Sequence, residues 1–324
     1  MRMKILRTAL IAFTSLMLAP ASSFAQAYPS KPITIVVPFP AGGTLDNLAR
    51  TLSQKLGDNL KQSVIVDNKP GGGTMIGTER VARAQPDGYV LGMVANSFAI
   101  NPSLHTDLRY DTEKDFAPVS YLAYTPHILV ANPDVPVKTL QDVIARAKAQ
   151  PGKVTFGSFG SGTSSHIAIE MLKKQADIDV LHIPYKGQAA ALTDLLGGHV
   201  DMMFANVPDV LPHIASGKLR AIAVVNDQRL NTAPDVPTFK EAGLDGFKSN
   251  SWYGLVAPAG TPDEVVKKLS VEFTRILALP DVRAQLAEQG LVPLGTTPEE
   301  FSRHIKAEIA NASEMVKKSG ATAQ

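Results

Sequence analysis

Short apolar runs alternate with helical patterns along the first third of the 324-residue chain. A β-branched run at 33–37 predicts a buried strand, and leucines at helical spacing between residues 45 and 56 predict the helix that follows it. The same order continues with strands at 64–66 and 89–94 and a helix at 74–84. Consecutive units of this kind predict a mostly parallel sheet with helices on both faces.

A second series of apolar runs begins near residue 120 and is again separated by helical segments. The runs of strand length lie at 119–124, 128–131, 154–156, 180–183, 201–204, 219–225 and 251–257. After the last of them, the pattern predicts three helices, at 262–279, 280–288 and 298–318. These C-terminal helices need a sheet to pack on, so we expect the chain to return to its first sheet after building a second one.

The pattern therefore predicts an α/β protein of two lobes, each a mostly parallel sheet flanked by helices. One lobe comprises residues 28–125 and 247–324, and the other comprises residues 126–246. The two segments that cross between the lobes would act as a hinge. Two sequential domains are the alternative organisation.

Residues 1–27 have the pattern of a secretory signal peptide, with basic residues, an apolar stretch at 8–19 and then small residues. Cleavage is expected after Ala25 or Ala27. The apolar stretch is shorter than the roughly 20 residues that span a bilayer, which disfavours the alternative of an uncleaved anchor. We therefore expect a protein exported to the periplasm.

Composition and charge exclude several classes of function. The formal net charge is +2, and without the three basic residues of the leader 29 basic residues stand against 30 acidic ones. No basic excess is left to bind nucleic acid. The absence of cysteine excludes disulfides, iron–sulfur clusters and thiolate metal sites. The seven histidines lack the spacing of a metal site, so neither metal nor cofactor is expected.

Glycine-rich loops connect predicted strands to predicted helices, at 40–46, 70–74 and 157–166. In open α/β sheets, ligands bind at the carboxyl ends of strands, beside helix N-termini. The free N–H groups there carry partial positive charge and bind anions without Lys or Arg. A carboxylate held by one loop from each lobe would be enclosed when the lobes close.

Catalytic motifs are absent from the sequence: it contains no Walker loop, no G-x-S-x-G and no H-E-x-x-H. Asp46 is a conceivable base, but a carboxylate near a helix N-terminus is stabilised in its ionised form. A capping or water-holding role is therefore favoured for Asp46. His166, in the first turn of its predicted helix, could contact a bound anion.

Seven short motifs resemble those of the Bug proteins, the extracytoplasmic receptors of tripartite tricarboxylate transport systems. They lie at 28–43, 67–73, 85–89, 99–104, 197–204, 212–220 and 257–262. The motifs are short, but their number and order make the resemblance specific, and it extends to the last helix. It implies a periplasmic binding protein of the two-lobed flytrap type that holds small carboxylates without an ion pair.

The resemblance also implies which residues face the ligand. In the two lobes they are Phe39, Ala41, Gly42, Gly43, Thr44, Asp46, Asn96, Ser97 and Phe98, and Ser161, Gly162, Thr163, Ser164, Ser165, His166, Tyr185 and Asn206. Ala205 stands where many family members have Asp. Phe39, Leu45 and Phe98 could form an apolar wall, which favours a weakly polar or aromatic carboxylate.

We therefore expect a non-enzymatic, monomeric receptor for a small organic carboxylate. Its partner would be a tripartite tricarboxylate-type transporter or a sensor kinase, and neither nucleic acid nor a cofactor is expected. An exported hydrolase or isomerase that uses Asp46 or His166 is one alternative. An adaptor or signalling protein with a vestigial cleft is the other.

Overall fold

Ten strands and ten α-helices lie within residues 28–319, the part of the chain that the computed structural model describes. The strands are β1 Ile33–Val37, β2 Val64–Asn68, β3 Val90–Ala95, β4 Phe116–Ala131, β5 Thr155–Ser158, β6 Leu181–Pro184, β7 Met202–Asn206, β8 Arg220–Val224, β9 Asn250–Pro258 and β10 Val292–Pro293. The predicted signal peptide lies outside the described residues. Within the described part, no helix combines the length and the apolar character needed to cross a membrane.

The helices mostly connect one strand to the next. They are α1 Thr44–Leu60, α2 Met75–Ala82, α3 Asn96–Leu104, α4 Leu140–Ala149, α5 Ser164–Ala176, α6 Gln188–Leu196, α7 Val207–Ala215, α8 Asp263–Ala278, α9 Pro280–Glu288 and α10 Pro298–Ser319. A short 3-10 turn, Gly72–Thr74, precedes α2. The fold is the mixed α/β type that the sequence predicts.

The strands form one curled sheet in the order β2-β1-β3-β9-β4-β7-β5-β6, with β8 and β10 also paired to β4. Strands β1, β2 and β3 are mutually parallel, as are β5, β6 and β7. Strand β9 is antiparallel to both β3 and β4. The long strand β4 therefore divides the sheet into a first half (β1, β2, β3, β9 and β10) and a second half (β5 to β8).

Strand β4 crosses from one half to the other. Its residues from Phe116 to Pro126 pair with β9, and those from His127 to Ala131 pair with β7. The sequence analysis predicted two strands here, at 119–124 and 128–131, and this was wrong. Pro126 remains in the ladder opposite Asn250, so the strand continues through it.

Both faces of the second half are covered, which explains its continuous apolar runs. Ile128 and Val130 pack into the core on one face, and Leu129 and Ala131 pack into the core on the other. This alternation is the period of two that a strand imposes on its side chains. In a sheet with one face exposed to water, every second residue of this strand would be exposed.

Two elements were missed by the sequence analysis, α3 and β10. Helix α3 follows β3 directly, contains Pro102 and is buried from Asn96 to Asn101, so it lacks an amphipathic pattern. Strand β10 has only two residues, which is too short for a periodic signal. The helix predicted at 74–84 is α2 preceded by the 3-10 turn.

Candidate functional site

A cavity lies between the two halves of the sheet and encloses about 550 Å³ of space, part of it open to solvent. Its walls come from the loops that follow β1, β5 and β6, from the junctions of β3 with α3 and of β7 with α7, and from strand β9. The lining residues are Phe39, Pro40, Gly43, Thr44, Leu45, Asp46, Ala95, Asn96, Ser97, Phe159, Thr163, Ser164, Gly187, Gln188, Ala189, Asn206, Ser251 and Tyr253. The carboxyl ends of parallel strands from both halves therefore meet at one place, as expected for open α/β sheets.

Five helices begin at this cavity: α1, α3, α5, α6 and α7. Their N-cap residues are Gly43, Ala95, Thr163, Gly187 and Asn206, and none of these five residues caps its helix with a side-chain hydrogen bond. Helix α4, away from the cavity, has by contrast a complete capping box between Thr139 and Asp142. Uncapped N–H groups at the first turn of a helix favour an anion. The cavity is therefore suited to a negative group.

The charges of the residues that line the cavity also suit it to a negative group. None of the described residues that line the cavity is Lys or Arg. The one carboxylate among them, Asp46, is already paired with Arg50, with 3.0 Å between its Oδ2 and Arg50 Nε. An anion in this cavity would be held by neutral donors, which supply direction as well as attraction.

Asp46 fixes the loop between β1 and α1. It accepts hydrogen bonds from Gly42 N (3.0 Å), Arg50 Nε (3.0 Å) and Asn68 Nδ2 (2.9 Å). Burial alone would raise the pKa of Asp46, but these hydrogen bonds and the Arg50 charge lower it overall. The carboxylate is therefore ionised and occupied, which fits a structural role better than that of a poised base.

The loop between β5 and α5 is held from behind by its own side chains. Ser165 Oγ accepts from Phe159 N (3.0 Å), and His166 Nδ1 accepts from Gly162 N (3.3 Å). Thr163 Oγ1 donates to the carbonyl of Gly160 (2.7 Å). The side chains of Ser165 and His166 therefore order the loop, and Thr163 and Ser164 face the cavity.

A neutral histidine orients two cavity hydroxyls. His127, fully buried on β4, lies 3.0 Å from Ser251 Oγ and 3.3 Å from Ser164 Oγ through Nε2, and 2.7 Å from Ser249 Oγ through Nδ1. Burial lowers the pKa of His127 to about 3. The imidazole therefore stays uncharged at neutral pH and brings no positive charge to the site.

Asp209, in the first turn of α7, joins the two halves just behind the cavity wall. Its Oδ2 accepts from Thr44 Oγ1 (2.6 Å), from Thr44 N (3.3 Å) and from Gln188 Nε2 (2.6 Å). Burial raises the pKa of Asp209 to about 6, although the bonds from Thr44 oppose this. The Asp209 carboxylate thus already accepts a hydrogen bond from the first N–H group of α1, that of Thr44.

Comparison with known proteins agrees with this architecture. The model of the tripartite tricarboxylate transporter family receptors matches residues 48–321. The chain belongs to this family. It is 36% identical to the periplasmic binding protein BugD, with a TM-score of 0.87 over 92% of this chain and all of that one.

Two further solved structures similar to this chain contain dicarboxylates. A Rhodopseudomonas palustris protein solved with adipate is 32% identical, with a TM-score of 0.89 over 92% of this chain and 100% of that one. The protein MatC of the same organism, solved with malate, is 31% identical, with a TM-score of 0.85 over 89% of this chain and 100% of that one. The predicted family and flytrap fold are confirmed, and the proteins of this receptor family are periplasmic.

The residues that the family resemblance singled out fall into three groups. Those that line the cavity are Phe39, Gly43, Thr44, Asp46, Asn96, Ser97, Thr163, Ser164 and Asn206. Ser161 and Tyr185 line a neighbouring depression that shares Phe39 with the cavity. The others are Ala41, Gly42, Phe98, Gly162, Ser165 and His166, which support the loops or the core beside it. As ligand contacts, all of them remain predictions.

The predicted apolar wall is only partly at the cavity. Phe39 and Leu45 line it, whereas Phe98 is buried in the core of the first half, edge-on to Phe116 with ring centroids 5.0 Å apart. Phe159, which the sequence analysis did not select, lines the cavity from the second half. An apolar surface is thus present, with Phe159 in the place that was predicted for Phe98.

Sequence analysis of this receptor missed several lining residues, chiefly Gln188, Ser251 and Tyr253. Gln188 follows Gly187, which has φ of 122° and starts α6, so a strand–glycine–helix signal was available. Ser251 and Tyr253 lie within a buried strand, β9, and carry no such signal. Asp209 was also missed, because its contact with Thr44 spans 165 residues.

One histidine pair also escaped the sequence analysis. His166 and His182 stack with ring centroids 4.3 Å apart, and His182 Nε2 lies 2.6 Å from Ser158 Oγ. This resembles a nucleophile and its base. Ser158 is fully buried, however, and neither it nor His182 lines the cavity. Among the described residues, no group of His, Asp and Glu is arranged to hold a metal ion.

Proposed function

We propose that this receptor captures one small organic carboxylate in the cavity between its halves. The observation that carries the proposal is the convergence of five helix N-termini, none capped by its own N-cap side chain, on a cavity without lining Lys or Arg. The adipate and malate bound by similar proteins support the same chemical class. The carboxylate would be held by N–H groups at the start of α5, beside the hydroxyls of Thr163 and Ser164.

Capture would work as a shift between open and closed arrangements of the halves. Glycines allow backbone from one half to approach the other closely: a methyl group added at Gly73 would lie 3.0 Å from the carbonyl oxygen of Ser161, and one at Gly187 would lie 3.0 Å from Pro40 Cδ. A ligand that contacts both halves favours the closed arrangement through its differential affinity. Residues 126–246 would then move against 28–125 and 247–324.

We further propose that the protein binds its ligand without converting it. The candidate base Asp46 is held by three hydrogen bonds, and His166 is used to order its own loop. After export with its signal peptide, cut after Ala25 or Ala27, the protein would deliver the acid to a tripartite tricarboxylate-type transporter or present it to a sensor kinase. An enzyme would instead consume the acid in the cavity.

A thermal-shift screen tests the proposal. The protein is refolded to remove bound ligand and mixed with mono-, di- and tricarboxylates, with sugars and amines as controls. A ligand at a thousand times its Kd stabilises by about 4 kcal/mol, which moves the midpoint by several degrees. We expect such a shift with at least one class of carboxylate, with the acid recovered unchanged. A shift with none of the acids would contradict the proposal, and turnover of the acid would favour an enzyme.

A further inference from the structure

The hydrogen-bond donors on one wall of the cavity are already used by the protein. Thr44 donates its single hydroxyl proton to Asp209, with 2.6 Å between Thr44 Oγ1 and Asp209 Oδ2. Gln188 gives one amide N–H to the same oxygen at 2.6 Å, and its Nε2 lies 3.5 Å from the carbonyl of Asn206. A ligand oxygen that approached this wall would therefore find no free proton on the side chain of Thr44 or Gln188.

The negative charge of the Asp209 carboxylate lies just behind the same wall. A ligand atom in contact with Thr44 Oγ1 would lie about 5–6 Å from the Asp209 carboxylate, the length of two successive hydrogen bonds. Because no lining residue is Lys or Arg and Asp46 is paired with Arg50, no cationic side chain on the cavity surface compensates this charge. A second carboxylate placed here would meet repulsion between like charges.

Two polar atoms that line the cavity near Thr44 have no partner among the described residues, the Tyr253 hydroxyl and an amide oxygen that can only accept. Asn206 lines the cavity, is 6% exposed, and its Nδ2 lies 3.3 Å from Thr44 Oγ1. Since Thr44 donates its proton to Asp209, its oxygen must accept from Asn206, and this fixes the orientation of the amide. Asn206 Oδ1 is then the free end, buried and without a partner among the described residues. A buried acceptor of this kind calls for a ligand donor.

We propose that Asp209 and Asn206 select acids with a single carboxylate and an uncharged far end that carries a hydrogen-bond donor, such as a hydroxyl group. The proposal rests on the proposed carboxylate binding. The carboxylate lies at the start of α5, where the neutral His127 supports Ser164 and Ser251, and the far end meets Asn206. The apolar side chains Phe39, Leu45 and Phe159 accept the carbon chain between them.

Three acids of equal length isolate the far end of the ligand. Hexanoate, 6-hydroxyhexanoate and adipate differ only in a methyl, a hydroxymethyl or a carboxylate group, and the four- and five-carbon series repeat the comparison. Titration calorimetry of the refolded protein at pH 7.5 gives the three affinities. In the series that binds best, we expect the hydroxy acid to bind at least tenfold more tightly than the dicarboxylate, with the simple acid between them. Equal or tighter binding of the dicarboxylate overturns the proposal without using any variant.

An isosteric variant assigns the effect to Asp209. Asp209→Asn removes the charge, so we expect affinity for the dicarboxylate to rise about tenfold and affinity for the monocarboxylates to change less than threefold. Asp201→Asn is the matched control, because Asp201 Oδ2 accepts from Thr155 N (2.7 Å) and Thr155 Oγ1 (2.9 Å) in the second half and does not line the cavity. We expect this control to leave all affinities unchanged.

The outcomes separate this selectivity from the proposed function. If carboxylates bind but Asp209→Asn leaves the ratio of dicarboxylate to monocarboxylate affinity unchanged, the assignment to Asp209 is wrong and carboxylate binding stands. If no acid of any series binds, the selectivity proposal fails, and the wider thermal-shift panel decides whether the proposed carboxylate binding fails as well. An increase in the affinity for the dicarboxylate alone supports the selectivity.

Discussion

Single residues at the cavity offer a ligand neutral or already paired groups in place of a free cation. His127 is kept uncharged by burial, and Asp46 is ionised but fully used by Gly42, Arg50 and Asn68. An anion in the cavity would therefore meet N–H and O–H groups whose directions are set by their neighbours. This arrangement makes placement, rather than net charge, the source of specificity.

Asp209 should leave a pH signature in the stability of the protein. Its pKa is raised by burial from an ordinary value of 3.8 to about 6, so protonated Asp209 is favoured in the folded state. The stability it contributes is therefore complete below about pH 4 and is lost as the pH rises through about 6. We expect the free energy of unfolding of the wild type, relative to Asp209→Asn, to fall by about 2 kcal/mol between pH 4.5 and 8.

Urea unfolding of both proteins across this pH range gives the difference, and the other titrating groups cancel. A difference that stays constant, or that grows with pH, would show that the hydrogen bonds from Thr44 and Gln188 outweigh the burial of Asp209. Asp201→Asn serves again as the control.

At the scale of elements, the strand–glycine–helix order made much of the site predictable. The loops after β1 and β5 were identified because glycines and hydroxyl residues precede a helical pattern, and Thr44, Thr163 and Ser164 do lie at the cavity. Side chains that arrive from a buried strand, such as Tyr253, give no local signal. Phe98 was expected at the cavity, but α3 turns it into the core.

Contacts between residues that are far apart in the sequence could not be predicted from local patterns. Strand β4 continues through Pro126 because β9 pairs with it there, and Asp209 reaches Thr44 only because two halves of the sheet come together. Neither contact follows from residues near each other in the chain. The fold class, by contrast, follows from repeated local units.

The packing of α10 on β9 depends on one glycine. A methyl group added at Gly254 would lie 2.0 Å from Phe301 Cζ, inside the aromatic ring's own volume. We expect Gly254→Ala to lower the free energy of unfolding by about 3 kcal/mol, because Phe301 is fully buried and cannot move aside. Urea denaturation measures this change.

Gly43→Ala is the matched control for this substitution. Gly43 has φ of −93°, and a methyl group there would meet nothing within 4 Å. We expect a loss of at most about 1 kcal/mol, because alanine is a poorer N-cap residue than glycine but makes the unfolded chain stiffer. Equal losses in the two variants would contradict the packing argument.

Across the whole molecule, the proposed capture of a carboxylate requires the two halves to come together around the ligand. Gly162 lies where they meet: a methyl group there would lie 2.9 Å from Asn101 Oδ1 on α3. We expect Gly162→Ala to hinder closure and to weaken carboxylate binding by about tenfold or more. Titration calorimetry measures the affinity.

Gly217→Ala controls for backbone strain in this experiment. Gly217 has φ of 71°, close to the 77° of Gly162, but a methyl group there would meet nothing within 4 Å. Both variants should lose similar stability, of order 1 kcal/mol, because both glycines are left-handed. If Gly217→Ala weakens binding as much as Gly162→Ala, closure at Gly162 is not the cause.

The central claim is that backbone N–H groups at the start of α5 hold the ligand carboxylate, and a pair of variants at Ser164 tests it most directly. Ser164→Ala keeps the N–H and removes the hydroxyl, whereas Ser164→Pro removes both. Proline is compatible with the first position of a helix, and Thr163 before it is extended, with φ of −91° and ψ of 163°. Calorimetric titration of the wild type and both variants, using the carboxylate with the largest thermal shift, is the measurement. We expect a single site in each protein, with an affinity at least tenfold weaker in Ser164→Pro than in Ser164→Ala. Equal affinities in two folded variants would contradict it.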